Sequence, residues 1–257
     1  MVNTTACIRD FFSLRDFFSP GCVAQTDGAV SQWPLVLGPA APRVPCAINT
    51  TNGAGGGGPE GVACSINWKT LLDEQLLVGN GEEGDKYLPA PQEHTTSYVY
   101  DSFNPEARRF VWEQMREGYQ KYGIKTFWLD ADEPESFLPV AAPGKRFFND
   151  GGWKSDNQVG MGWVQKHHRM IHDGLISEGV ESGDFTMLSR GFWAGSQRYG
   201  AAMWSGDIFS KFSELAVQIK VAQGVALSGV DKWTTDIGGY KGGNPSDPTW
   251  RELIVRW

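Results

Sequence analysis

The sequence predicts an α/β fold built on a parallel sheet, and three observations carry that expectation. From Ser97 onward, strand-like and helix-like segments alternate, the order that builds parallel sheets through helical crossovers. Four strand-like segments in succession end in an ionisable residue, as happens where strand C-termini meet around one pocket. The chain has 257 residues, and a single α/β barrel commonly fills roughly 250. An open, doubly wound sheet would share the alternation. Against it, no glycine-rich phosphate loop follows a strand: the run NGAGGGGPEG at 52–61 lacks the Lys-Ser/Thr ending and the flanking strand and helix.

Residues 1–95 read as a divergent, irregular N-terminal segment. They hold the cysteines Cys7, Cys22, Cys46 and Cys64, Asn-x-Thr triplets at Asn3 and Asn49, and the glycine run, whose backbone resists ordering. The cysteine spacings match no zinc or redox motif, so they read as buried or idle thiols. Short extended pieces, such as Gln32 to Leu37, are the most structure placed in this segment.

Residues 96–257 are regular. Ser97 to Tyr100 reads as a short strand, and Asn104-Pro105-Glu106 then supplies a helix cap, a proline at the first helical position and an acid in the first turn. Ala107, Phe110, Val111, Met115 and Tyr119 form one stripe of that helix, and Gly123 stops it. Ile124 to Leu129 is a strand ending in Asp130-Ala131-Asp132-Glu133-Pro134-Glu135. A helix near 158–178, with Met161, Val164, His168, Ile171 and Leu175 on one side, leads to a strand Phe185 to Leu188 that ends at Ser189-Arg190. The strand Ala201 to Trp204 ends at Ser205-Gly206-Asp207. A helix near 209–225, striped by Phe212, Leu215, Ile219 and Ala222, precedes the strand Val230 to Thr234, which ends at Asp236.

Composition narrows the function. A net charge of -7 gives no counterion-release term for nucleic acid, so no nucleic-acid partner is expected. No window approaches about 18 consecutive apolar residues, so no membrane span is expected. Arg9, Asp10, Arg15 and Asp16 interrupt the start of the chain, so no signal-peptide core is expected there. No feature of the sequence specifies a compartment or an oligomeric state. The 11 tryptophans are in excess, and such flat side chains fill cores or form platforms for sugar faces.

The strand ends collect Asp130, Asp132, Glu133, Glu135, Arg190, Asp207 and Asp236, with Trp128, Trp204 and Trp233 beside them in sequence. Paired carboxylates in a pocket can divide into one ionised and one protonated group, the arrangement that cleaves a glycosidic bond, while the aromatics stack on the sugar. The plain counterparts are helix caps or solvated loops for Asp132 and Glu135, and a structural ion pair for Arg190. Carboxylates also suit hard cations, but His94, His167, His168 and His172 do not fall near the strand ends, and His167 and His168 read as packed or solvated mid-helix residues. No Ser-His-Asp or Cys-His arrangement is signalled.

WLDADEPE (128–135), SRGFWAGSQRYGAAMWSGD (189–207) and TTDIGGY (234–240) resemble, in order, the nucleophile, acid/base and following-strand motifs of glycoside hydrolase family 31. Asn104 to Ala107 and Arg251 to Trp257 are also family-like, and the resemblance covers 96–257 well. Within the family it is similar to the α-xylosidase-like and α-glucosidase-like members with an acidic-Pro-Glu nucleophile motif.

The resemblance implies a (β/α)8 TIM barrel and a retaining α-glycosidase that hydrolyses terminal α-linked xylose or glucose from oligosaccharides and needs no metal or organic cofactor. Asp130 matches the nucleophile and Asp207 the general acid/base. Arg190 matches the sugar-binding arginine, Asp236 the aspartate of the next strand, Trp204 a pocket wall and Tyr240 an aromatic of the same subsite; Trp128 opens the nucleophile motif. Ala131 replaces a bulkier residue, which widens the pocket floor. A retaining mechanism places the two carboxyl groups about 5 to 5.5 Å apart. The sugar-binding aspartate that the family places well before the nucleophile has no counterpart in 1–95, and the chain stops before the strand whose histidine binds sugar. The expectation is therefore a partial barrel of approximately strands 3 to 7, incomplete at both ends, with a catalytically incomplete carbohydrate-binding fragment as the alternative. A metal-dependent lyase or phosphoesterase barrel is the third reading, disfavoured for want of ligands at suitable spacing.

Overall fold

The computed structural model describes residues 44–45, 63–64, 66–79, 99–130, 132, 147–159 and 162–257. The extended piece at 32–37, the glycine run, Cys7, Cys22, both Asn-x-Thr triplets and residues 133–146 lie outside the described residues. Strands β1 (Val44–Pro45) and β2 (Ala63–Cys64) pair antiparallel, and helix α1 (Ile66–Asp73) follows. Leu77 then bridges Tyr100 antiparallel, with Val78 N–H donating to the Val99 carbonyl at 2.9 Å and Asp101 N–H to the Leu76 carbonyl at 2.8 Å. Leu71, Leu76, Leu77 and Val78 thereby enter the same core as Val99 and Tyr100.

Helix α2 (Pro105–Gly118) forms where its cap chemistry demands. The Asn104 side chain accepts from Glu106 N–H at 2.9 Å, Pro105 occupies the first turn, and Glu106 adds a negative charge at the helix N-terminus. Ala107, Val111, Trp112 and Met115 are its buried face, and Tyr119 is buried just beyond it. A 3-10 turn, Gln120–Tyr122, ends at Gly123 in the left-handed conformation, φ 84°.

Strands β3 (Phe127–Leu129), β6 (Met187–Ser189), β7 (Ala201–Trp204) and β8 (Trp233–Thr234) form one parallel sheet in that spatial order. Between β3 and β6 lie the antiparallel hairpin β4 (Phe147–Asn149) and β5 (Trp153–Ser155), the short helix α3 (Asp156–Val159) and helix α4 (Gly162–Ser177). Helix α5 (Phe212–Leu227) connects β7 to β8, and α6 (Pro248–Arg256) closes the chain. The register aligns Leu129 with Ser189, Ser189 with Met203, and Met203 with Trp233.

Side chains alternate across this sheet. Leu129 and Met187 join Val111, Met115, Ile171 and Leu175 in the core between sheet and helices. The intervening Trp128 and Trp204 meet on the opposite face, ring centroids 5.5 Å apart at 67°. Trp163, Val164, His167, His168, Met170, Ile171, Gly174 and Leu175 are the buried side of α4, wider than the expected stripe.

On α5 the expected stripe is half displaced. Leu215 and Ala222 lie on the sheltered side with buried Gln218, whereas Phe212 and Ile219 are exposed at 42% and 56%. The helix is apolar nearly all round, so hydrophobic spacing alone does not say which side the sheet covers. Among the described residues, no helix is long and apolar enough to cross a membrane.

Candidate active site

The register puts Asp130 and Arg190, each one residue past its strand, side by side at the C-terminal rim. Arg190 N–H donates to the Leu129 carbonyl at 3.1 Å, extending the β3–β6 ladder to that point. Arg190 Nη1 lies 3.2 Å from Asp130 Oδ1, with 15% and 28% of the two side chains exposed. This pair is sheltered enough to hold its geometry, yet open to a ligand. The guanidinium also lies 6.0 Å from the Trp204 ring centroid.

Trp204, buried at the end of β7, donates its indole N–H to Asp236 Oδ1 at 2.9 Å. The other oxygen, Asp236 Oδ2, is buried and has no hydrogen-bond partner among the described residues. Burial raises the pKa of Asp236, the Trp204 hydrogen bond opposes the rise, and the negative charges of Asp207 and Asp130 add to it. Asp236 is therefore within electrostatic reach of both the other carboxylates.

Asp207 and Tyr240 lie on loops that are sewn together. Tyr240 N–H donates to the Ile208 carbonyl at 2.9 Å, and Ser210 N–H to the Lys241 carbonyl at 2.8 Å. Gly239 makes this approach possible: its φ is +84°, and a Cβ there would fall 2.6 Å from the Ser210 nitrogen. Asp207 is exposed with its charge acting on Asp236, and Tyr240 is 66% exposed on the neighbouring loop. Trp128, Asp130, Arg190, Trp204 and Asp236 thus form the inner group. Glu133 and Glu135 lie outside the described residues.

Directly behind this rim is a buried polar cluster that motif spacing does not bring together. Asp132 Oδ1 accepts from Gly191 N–H at 2.6 Å, and Asp132 Oδ2 accepts from the Ser189 hydroxyl at 2.6 Å. His168 Nε2 lies 2.8 Å from Ser189 Oγ and 3.3 Å from Asp132 Oδ2. Ser189 Oγ also contacts the Gly191 carbonyl. The expectation that the histidines stand away from the strand ends is corrected here: α4 packs along β6, and this brings His168 to the end of that strand. The available signal was His168 on the apolar stripe of its helix, since a histidine facing a core needs a polar partner.

A neighbouring cluster is also buried. The Tyr100 hydroxyl and His167 Nδ1 are 2.6 Å apart, and Trp163 stacks on His167 with centroids 5.0 Å apart. Among the described residues, no three His, Cys, Asp or Glu side chains converge in a group able to hold a metal ion.

A parallel α/β sheet whose C-terminal rim joins carboxylates, a fixed cation and tryptophan faces defines an α/β protein with a polar, aromatic-walled site. The particular family is glycoside hydrolase family 31, to which this chain belongs: the model described as the glycosyl hydrolases family 31 TIM-barrel domain matches residues 61–257. Among curated relatives, the "Uncharacterized family 31 glucosidase ORF2" of Pseudescherichia vulneris is 39% identical over 158 residues, 62% of this chain and 28% of that protein. Alpha-xylosidase A of Aspergillus niger is 32% identical over 194 residues, 63% of this chain and 25% of that protein. Among solved structures, a GH31 α-xylosidase from a soil metagenome complexed with xylose superposes with a TM-score of 0.65 at 34% identity, over 75% of this chain and 27% of that one. The chain spans about a quarter of the length of the curated relatives it matches.

Proposed function

We propose that this chain carries the catalytic core of a retaining α-glycosidase that releases terminal α-linked xylose or glucose from oligosaccharides. The observation that carries the reading is the Arg190–Asp130 pair beside Trp204 and Asp236, formed by residues from all three family-like motifs. The parallel strands are assigned to approximately the third to seventh positions of a (β/α)8 barrel, with 96–257 as the core and 1–95 as the divergent segment.

In the first step an Asp130 oxygen forms a bond to the anomeric carbon as the glycosidic C–O bond breaks, and Asp207 gives its proton to the departing oxygen. In the second, Asp207 takes a proton from water, the water oxygen bonds to the anomeric carbon, and the bond to Asp130 breaks. Arg190 holds sugar hydroxyls and orients the Asp130 carboxylate. Trp128 and Trp204 wall the sugar, Asp236 holds the Trp204 indole through Oδ1 and places a carboxylate beside Asp207 and Asp130, and Tyr240 lines the outer edge. The relatives with xylosidase and glucosidase names support the substrate class.

A mechanism-based fluorinated α-glycosyl donor tests the assignment. Peptide mapping should find the sugar on Asp130, and folded, active protein labelled elsewhere would overturn it. Turnover of p-nitrophenyl α-xyloside against the α-glucoside then decides the sugar. The exposure of Asp207 and Tyr240 favours a second reading, in which the 257 residues alone bind carbohydrate without turning it over; a longer natural form that hydrolyses the xyloside while the 257-residue chain does not would support it.

A further inference from the structure

The Asp132–Ser189–His168 cluster is too buried to touch a substrate: these residues are 4%, 0% and 0% exposed. Its place in the sheet nevertheless ties it to the chemistry. Ser189 precedes Arg190, and Asp132 lies two residues beyond Asp130, so each member of the front pair has a cluster member next to it or one residue removed. Because neighbouring strand residues point to opposite faces, Ser189 points toward α4 while Arg190 points into the site.

The hydrogen bonding is closed and directional. Asp132 is held at both oxygens, by Gly191 N–H and by the Ser189 hydroxyl. A hydroxyl has one hydrogen, and Ser189 directs it toward Asp132 Oδ2 and the Gly191 carbonyl, so the contact with His168 Nε2 is one that Ser189 accepts. That places a hydrogen on His168 Nε2. The other nitrogen, Nδ1, is buried with no hydrogen-bond partner among the described residues, so the imidazole spends its polarity on this one junction. The junction locks the turn after β3 to the loop after β6.

We propose that Asp132, Ser189 and His168 are positioning residues that fix the Asp130 carboxylate against the Arg190 guanidinium, with α4 serving as the anvil behind the rim. The proposal rests on the assignment of Asp130 as nucleophile. Freed from the junction, the two rim segments shift relative to one another, and a displacement of about 1 Å at a reacting group costs on the order of 10²-fold in rate.

The experiment follows covalent trapping by the fluorinated donor in the natural full-length protein, comparing wild type with Ser189→Ala, His168→Leu and His168→Gln. In wild type the sugar is expected on Asp130; labelling elsewhere overturns the nucleophile assignment and this proposal with it. In Ser189→Ala and His168→Leu the first-order trapping rate at saturating donor should fall on the order of 10²-fold, with the half-saturating donor concentration nearly unchanged. His168→Gln, which can restore a donor near the Nε2 position, should recover much of the rate. A merely structural role would lower the melting temperature and the folded fraction but leave the rate of the folded molecules intact. Asp130 labelled at the wild-type rate in these variants overturns the positioning role while leaving the nucleophile standing. Should Ser189→Ala or His168→Leu fail to fold, Asp132→Asn, which keeps the side-chain shape and replaces one acceptor, gives the same reading: slowed trapping supports the proposal, and an unchanged rate overturns it.

Discussion

Asp101 and His167 are buried titratable groups that pull stability in opposite directions with pH. Burial raises the Asp101 pKa from its ordinary 3.8 to about 6, against the opposing N–H groups of Asn149, Phe103 and Asn104. The folded chain holds that proton more tightly, so the associated stability is full below 3.8 and is lost as pH rises through about 6. Burial lowers His167 from 6.5 to about 3, so its contribution is present above 6.5 and is lost as pH falls toward 3. The shifts correspond to about 3 and about 5 kcal/mol. Between pH 4 and 6 the two slopes oppose, so Asp101→Asn should make stability climb more steeply with pH, and His167→Gln should make it fall. Urea midpoints across that range check both. At the rim, Asp207→Ala should lower kcat/KM, which reports the bond-breaking step, by about 10²- to 10⁴-fold for substrates with poor leaving groups, and much less for aryl glycosides that need no proton. Equal losses of kcat/KM for both substrate types would remove Asp207 from the acid role.

At the scale of elements, α2 and α4 meet closely where Gly174 lies against the Trp112 ring. A Cβ at Gly174 would fall 2.1 Å from Trp112 Cδ2. Alanine favours a helix over glycine by about 1 kcal/mol, but an overpacked core costs about 1 to 3 kcal/mol. Gly174→Ala should therefore destabilise on balance, and Trp112→Leu in the same chain should offset part of the loss; denaturant midpoints measure both.

Helix α2 is legible in the sequence because its cap is local: Asn104, Pro105 and Glu106 are consecutive. The Asp130–Arg190 pair is legible too, because parallel strands bring their ends together. The Asp132–Ser189–His168 cluster is not, since it joins a turn, a strand and a helix at a distance that no spacing rule spans. The orientation of α5 escapes the sequence for another reason: with apolar residues on nearly every side, the helix carries little directional information.

Across the described residues, α5 leaves several large apolar side chains open to water. Phe212, Val217, Ile219 and Leu227 are 42%, 49%, 56% and 91% exposed, and an apolar patch of this kind favours association. The 257-residue chain should bind a hydrophobic dye and self-associate in sedimentation experiments, and Val217→Lys combined with Ile219→Glu should reduce both while leaving the circular dichroism spectrum unchanged. A double variant as associated as the parent would place the contact elsewhere.

The odd-even alternation of the parallel sheet also divides the kinds of change that the protein tolerates. Trp128, Leu188, Ala202 and Trp204 share the front face, whereas Leu129, Met187 and Ser189 stand behind it. A randomised library confined to the front set would re-cut the face that carries the rim on an intact frame and keep most of its members foldable. The same diversity moved by one residue would dismantle the frame itself, so a single-residue offset separates new specificity from collapse.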